Sequence, residues 1–161
     1  MKLYFAGCSA TKEREKRQKK YLKGENMITI TKQFEFAAAH KLPYHKGLCK
    51  NLHGHSYKLE ITVGKKIRDL LIENSPTAED LSSKGMVMDF SDLKKIVKEK
   101  AIDLLDHKYL NDIISNPTAE LLVLYIQKLI SNEIEKYAKL ISIRLWESST
   151  SYAEWKKYGF K

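Results

Sequence analysis

Two stretches of alternation, joined by a histidine-bearing loop, constrain this chain more than any other feature. From Ile28 onward, Ile30, Phe34, Phe36, Ala38 and His40 recur in one period-two series that only Lys32 interrupts. A second series runs His53, His55, Tyr57, Leu59, Ile61 and Val63, set against Lys58, Glu60 and Thr62. Successive side chains of a strand point to opposite faces, so both series predict strands with one buried side. His40, His53 and His55 all fall in the apolar phase. Three imidazoles therefore project from two strands toward one protected side.

Neutral imidazole is a good zinc ligand, and an HxH pair with a third histidine from a neighbouring strand leaves a tetrahedral ion one open position. That is the arrangement of a catalytic metal rather than a closed structural one. Taken singly, each histidine reads better as an ordinary half-buried, hydrogen-bonded side chain. Three in phase at strand ends, with Cys49 four residues before the pair, point to a metal.

The net charge of +9 raises the question of nucleic acid. Residues 1–26 hold eight Lys/Arg and three Asp/Glu, or +5, which leaves 21 minus 17, or +4, for the remainder. The excess is thus concentrated in a polar arm that buries little and reads as flexible or as a short solvated helix. Its Cys8 has no evident partner. Met27 opens the first strand directly, and Lys23-Gly24-Glu25-Asn26 back-translates to purine-rich codons of the kind that precede a bacterial start, so Met27 is expected to be the native initiator. With 161 residues the chain is long enough for one domain with its own core. No apolar run is long enough to cross a bilayer and the N-terminus lacks a signal-like segment, which predicts a cytoplasmic protein. Two cysteines do not suggest a disulfide framework.

After the second strand, Lys65 to Lys84 reads as a polar connection with a helical turn near Ile67 to Ile72. A helix capped by Ser91, with Asp92 in its first turn, carries the stripe Leu93, Ile96, Val97, Ala101, Leu104 and Leu105. A second helix, expected to be capped by Asn116 with Pro117 at its first position and Glu120 in its first turn, carries Leu122, Tyr125, Ile126, Leu129 and Ile130 to about Ala138. Ile141, Ile143 and Leu145 alternate as a third strand and put Glu147 on the apolar side, where a carboxylate is costly unless bonded. Ser148 to Ser151 turns the chain into a last strand, Tyr152 to Lys157. The order is β-β-α-α-β-β, an α+β fold, with no repeats and no glycine-rich phosphate loop.

Several of these motifs together resemble one family. They are Ala-Ala-His at His40, Cys-x-x-x-His-Gly-His-x-Tyr from Cys49 to Tyr57, Met-Asp-Phe at Met88 to Phe90, Leu-Asp-His-x-x-Leu-Asn from Leu105 to Asn111, Pro-Thr-Ala-Glu at Pro117 to Glu120, and Glu147. From about Met27 to its end the chain resembles the 6-pyruvoyltetrahydropterin synthase family. The three-residue spacing between Cys49 and His53 is most similar to the 6-carboxytetrahydropterin synthase branch of queuosine biosynthesis.

The resemblance implies a tunnelling fold, a four-stranded antiparallel sheet with two helices on one face. Three copies would join their sheets into a barrel and two trimers would stack as a hexamer, with active sites between subunits. It implies a substrate, 7,8-dihydroneopterin triphosphate, turned into 6-carboxytetrahydropterin with loss of acetaldehyde and triphosphate. His40, His53 and His55 would hold Zn2+. Cys49 would be the base, its thiolate favoured by the cation and imidazoles nearby; as mere packing it would have little core to fill. Asp106 and His107 would relay protons, or else complement a helix C-terminus. Glu147 would bind the pterin's amino group and ring N–H, or pair with Arg144 or a lysine. Glu120 would lie near the pterin or, as the better reading, serve its helix, and Asp89 is read as a helix-start acceptor. The alternatives are a 6-pyruvoyl-forming or folate-pathway, side-chain-cleaving relative, and, from another class, a basic nucleic-acid-binding module with structural zinc.

Overall fold

A computed structural model describes residues 26–71 and 85–157. The basic arm, Cys8 and most of the connection after the second strand lie outside the described residues. β1 (Met27–His40) and β2 (His53–Lys66) form a long antiparallel pair, followed by a short helix, Ile67–Leu71. α1 begins as Phe90–Val97, widens to a π-helical Lys98–Ile102 and closes with Asp103–Leu105. α2 spans Ala119–Ile134, and β3 (Lys139–Trp146) and β4 (Tyr152–Lys156) complete a sheet of order β1-β2-β3-β4, antiparallel throughout. The architecture is the four-stranded antiparallel sheet and helix pair expected of a tunnelling fold.

One face of this sheet meets the helices. Phe36, Tyr57, Leu59, Ile61, Val63, Ile143 and Leu145 from the strands pack with Leu93, Val97, Leu105, Leu122, Ile126 and Ile130 from the helices in a single core. The opposite face is polar. There Arg144 bridges Glu60 and Glu154, and Trp146 packs on Tyr152 with ring centroids 4.4 Å apart. The two glutamate side chains keep only 14% and 16% of their exposure, so this ion cluster is largely buried on that face.

Both helix starts differ from the sequence expectation. Asp89, not Ser91, caps α1: its backbone is extended and its carboxylate accepts from Ser91 N–H at 2.6 Å. Asp89 is thus the helix-start acceptor it was read to be. Thr118, not Asn116, caps α2, accepting from Leu121 N–H, so Pro117 lies ahead of the cap rather than inside the helix. Each correction has the same physical basis, because the cap is the last residue with extended backbone before the first helical turn. In α1 the π-helical turn inserts one residue into the stripe, leaving Ile102 and Leu105 inside and turning Leu104 out to 45% exposure. α2 ends at Ile134, short of Ala138, and β4 ends at Lys156.

β3 holds the other correction. Thr62 pairs with Ser142 but Val63 pairs with Leu140, so Ile141 is the extra residue of a β-bulge. Leu140 rather than Ile141 enters the core, and after the bulge Ile143 and Leu145 resume the inward phase.

Candidate metal centre

The register of β1 against β2 sets His40 opposite His53 and Ala38 opposite His55. All three imidazoles therefore leave the sheet on the core face, at the end where the core runs out. One nitrogen from each lies within 4.8 Å of the others. His40 is 1% exposed; His53 and His55 are half-buried.

Backbone carbonyls set the tautomers. His40 Nδ1 stands 2.8 Å from the Pro117 carbonyl oxygen, and His53 Nδ1 stands 2.8 Å from that of Asn51. A carbonyl only accepts, so each Nδ1 carries the hydrogen and each Nε2 presents a lone pair. Those two Nε2 atoms face each other at 3.1 Å. Two lone pairs at that separation repel unless a cation lies between them. Burial, the largest influence, lowers the pKa of His40, the Pro117 carbonyl opposes it, and His53 lowers it further, so a proton is a poor candidate. Tetrahedral ligands at zinc–nitrogen bond lengths sit about 3.3 Å apart. The donor set fits a metal ion held by three neutral imidazoles, with the backbone partners fixing ring orientation.

Glu147 follows β3 on the inward phase and lies close enough to His40 for its charge to favour the protonated ring. It also helps raise the pKa of the fully buried Tyr57, where burial is the larger cause. Among the described residues neither Tyr57 Oη nor Glu147 Oε1, both sealed from solvent, has a partner at hydrogen-bonding geometry.

Asp106 and His107 occupy the outer edge of β1. Asp106 Oδ1 accepts from Ala37 N–H at 2.9 Å and lies 2.9 Å from His107 Nδ1. His107 N–H donates to Ala37 O and Ala39 N–H donates to Lys108 O, so this short segment extends the sheet edge. His107 holds φ at +57°, a left-handed conformation uncommon outside glycine. Its imidazole, 82% exposed, borders a groove of about 560 Å³ floored by Ala37, Ala39 and Gly54, with Lys108 and His55 at its sides.

The hydrogen bond from Ala37, with smaller help from His107, holds the Asp106 carboxyl below its ordinary value. Its contribution to stability is therefore complete above the unfolded-state pKa, about 4, and is lost as pH falls through the depressed folded value. Urea titrations of wild type and Asp106→Asn should show the variant less stable at pH 7, with the gap closing below about pH 4.

Residues 29–157 match the model of the family described as 6-pyruvoyl tetrahydropterin synthase. The chain belongs to the 6-pyruvoyl tetrahydropterin synthase family. It is 34% identical over 152 residues to a 6-carboxy-5,6,7,8-tetrahydropterin synthase of Haemophilus influenzae, covering 81% of this chain and 100% of that protein. A dihydroneopterin monophosphate aldolase of Pyrococcus furiosus is 35% identical over 114 residues, covering 71% and 84%. Among solved structures, a Caenorhabditis elegans 6-pyruvoyl tetrahydropterin synthase superposes with a TM-score of 0.60 at 22% identity, covering 82% of this chain and 96% of that one. At that identity the likeness speaks for the fold.

For this family member the three imidazoles expected from sequence converge, Glu147 stands beside them, and Asp106 pairs with His107. Cys49 is a half-buried free thiol in the turn Leu48–Lys50, outside the cluster of ligand nitrogens. Its carbonyl is tied to Leu42 N–H at 2.8 Å, while Leu48 and Leu52 are 85% and 66% exposed, so the loop has no core for the thiol to fill. Glu120 is exposed in the first turn of α2, the position of a helix-start acid. Pro117 and Asn111 stand in the sequence motifs, but the way they and Asn51 support the site does not follow from residue type. The carbonyls of Pro117 and Asn51 carry no side-chain signal. Asn111 accepts from Lys41 N–H and donates to Lys41 O, copying a strand partner just beyond His40.

Proposed function

We propose that the chain is a zinc-dependent 6-carboxy-5,6,7,8-tetrahydropterin synthase, a cytoplasmic carbon-oxygen lyase acting on 7,8-dihydroneopterin triphosphate. The products would be 6-carboxytetrahydropterin, acetaldehyde and triphosphate, on the route to queuosine and related 7-deazapurines. The observation that carries this reading is the pair of imidazole lone pairs facing each other at 3.1 Å with Glu147 beside them. The likeness to the H. influenzae synthase over its whole length supports the substrate class.

His40, His53 and His55 would hold the ion. When bound, it supplies Lewis acidity at the substrate's side-chain oxygens. Cys49, as thiolate, takes the proton from the hydroxyl-bearing side-chain carbon. His107, oriented by Asp106, carries protons to and from the groove it borders. Glu147 accepts from the amino group and ring N–H of the pterin, while Glu120 serves its helix. Within one chain the strand order ends at β1, whose outer edge is covered at Ala37 and Ala39 by the segment around His107, and at β4, and strand edges left open favour joining to further copies. That supports a hexamer of two stacked trimers, with 27–161 as the folded unit and 1–26 as an extension. Among the described residues no helix is long and apolar enough to cross a membrane.

Incubation of the zinc-loaded protein with 7,8-dihydroneopterin triphosphate should release acetaldehyde and a 6-carboxyl product in equal amounts. A 6-pyruvoyl product would overturn the assignment. So would a side chain cleaved without a 6-carboxyl group, the reading favoured by the P. furiosus relative. Removal of residues 1–26 should leave turnover intact; salt-dependent nucleic-acid binding lost on that truncation would favour a basic binding module instead.

A further inference from the structure

We propose that Tyr57 is a positioning residue that sets the carboxylate of Glu147 for its ligand, an inference that rests on Glu147 being the pterin anchor. The ladder between β2 and β3 pairs Leu59 with Leu145 and Lys58 with Trp146. One step further sets Tyr57 against Glu147. Both residues are in the inward phase, and side chains directly opposite on one face of an antiparallel pair stand about 5 Å apart at Cβ.

Two unpaired atoms meet there. Tyr57 is completely buried, and among the described residues neither its hydroxyl nor Glu147 Oε1, equally sealed from solvent, has a partner at hydrogen-bonding geometry. One is a donor and the other an acceptor. Nearly every buried polar group in a folded protein finds a partner, because leaving it without one costs the full desolvation of that group. Among the described residues the carboxylate within hydrogen-bonding reach of the phenol is that of Glu147. An O–H donating to an ionised carboxylate is among the stronger protein hydrogen bonds. It occupies one lone pair of the inward oxygen and leaves the remaining acceptor sites of the carboxylate for the ligand, so the plane in which Glu147 meets an amino-pyrimidine edge is set by Tyr57. The ring itself is held from the other side, stacked on Phe36 with centroids 4.9 Å apart and planes 13° from parallel.

Tyr57→Phe keeps that stack and removes only the donor. The test uses zinc-loaded protein and two ligands, neopterin and the corresponding lumazine, in which an oxygen replaces the 2-amino group that Glu147 would read. Tyr57→Phe is expected to weaken neopterin about tenfold, the effect of losing one hydrogen bond to a charged group, and to leave lumazine affinity and zinc content unchanged. Glu147→Gln alone should weaken neopterin, and the double variant should bind no more weakly than Glu147→Gln. If Glu147→Gln weakens neopterin while Tyr57→Phe binds like wild type, the positioning role is overturned. Equal loss for both ligands, or loss of zinc, in Tyr57→Phe would make the tyrosine a packing residue and overturn it likewise. Unchanged neopterin affinity in Glu147→Gln would instead remove the anchor on which this proposal stands.

Discussion

His53→Ala is expected to abolish metal binding and turnover together while leaving the fold intact. Removing even a partner that only orients a ligating histidine costs about 10–100-fold in metal affinity, and loss of a ligand should exceed that. The variant leaves the His40 lone pair without its counterpart at 3.1 Å. Stability should change little, since His53 begins β2 at the rim and is only half-buried, whereas Tyr57, Leu59 and Ile61 further along the strand hold the core. Metal content after gel filtration, turnover in excess zinc and a thermal melt check the three parts. A variant that retains stoichiometric zinc would show that the ion does not sit among these rings.

Cys49→Ala should separate what His53→Ala joins. Zinc content should match wild type, because the sulfur is not among the converging donors, while turnover should fall about 10²–10⁴-fold, the usual contribution of a positioned base. The loop should keep its course, since its tie to the segment just after β1 runs through the Cys49 carbonyl and Leu42 N–H rather than through the side chain. Metal analysis and kcat at saturating substrate check this. Wild-type turnover in Cys49→Ala would remove the thiol from the chemistry.

The parts of the site written as alternation are legible in the residue order itself. The phase of β1 and β2 sets which face His40, His53 and His55 occupy, and the observed register keeps that phase over both strands. The amphipathic stripes of α1 and α2 likewise announce which side meets the sheet. What residue order does not carry is local and depends on partners. Asp89 and Ser91, like Asn116 and Thr118, are cap-forming residues two positions apart, and only the backbone decides between them. Backbone carbonyls that orient His40 and His53 are invisible to residue type. The π-helical turn and the bulge at Ile141 each add one residue to a periodic series, and an isoleucine in phase with Ile143 and Leu145 gives no hint that it stands outside the ladder.

That bulge decides the chemistry of the far end of its strand. Were the same residues laid out as a regular strand from Leu140, every even-numbered position of β3 would point inward. The series would then deliver the Trp146 indole to the histidines, with Glu147 on the reverse side. The additional residue inverts parity once, and the carboxylate arrives instead. Loss of a single residue therefore has opposite consequences at neighbouring positions. Deleting Ile141 would straighten the strand and still bring the acid inward, whereas deleting Arg144 would exchange it for an aromatic ring beside the three histidines. Spacing along β3 is as much a part of the pocket as any group that lines it.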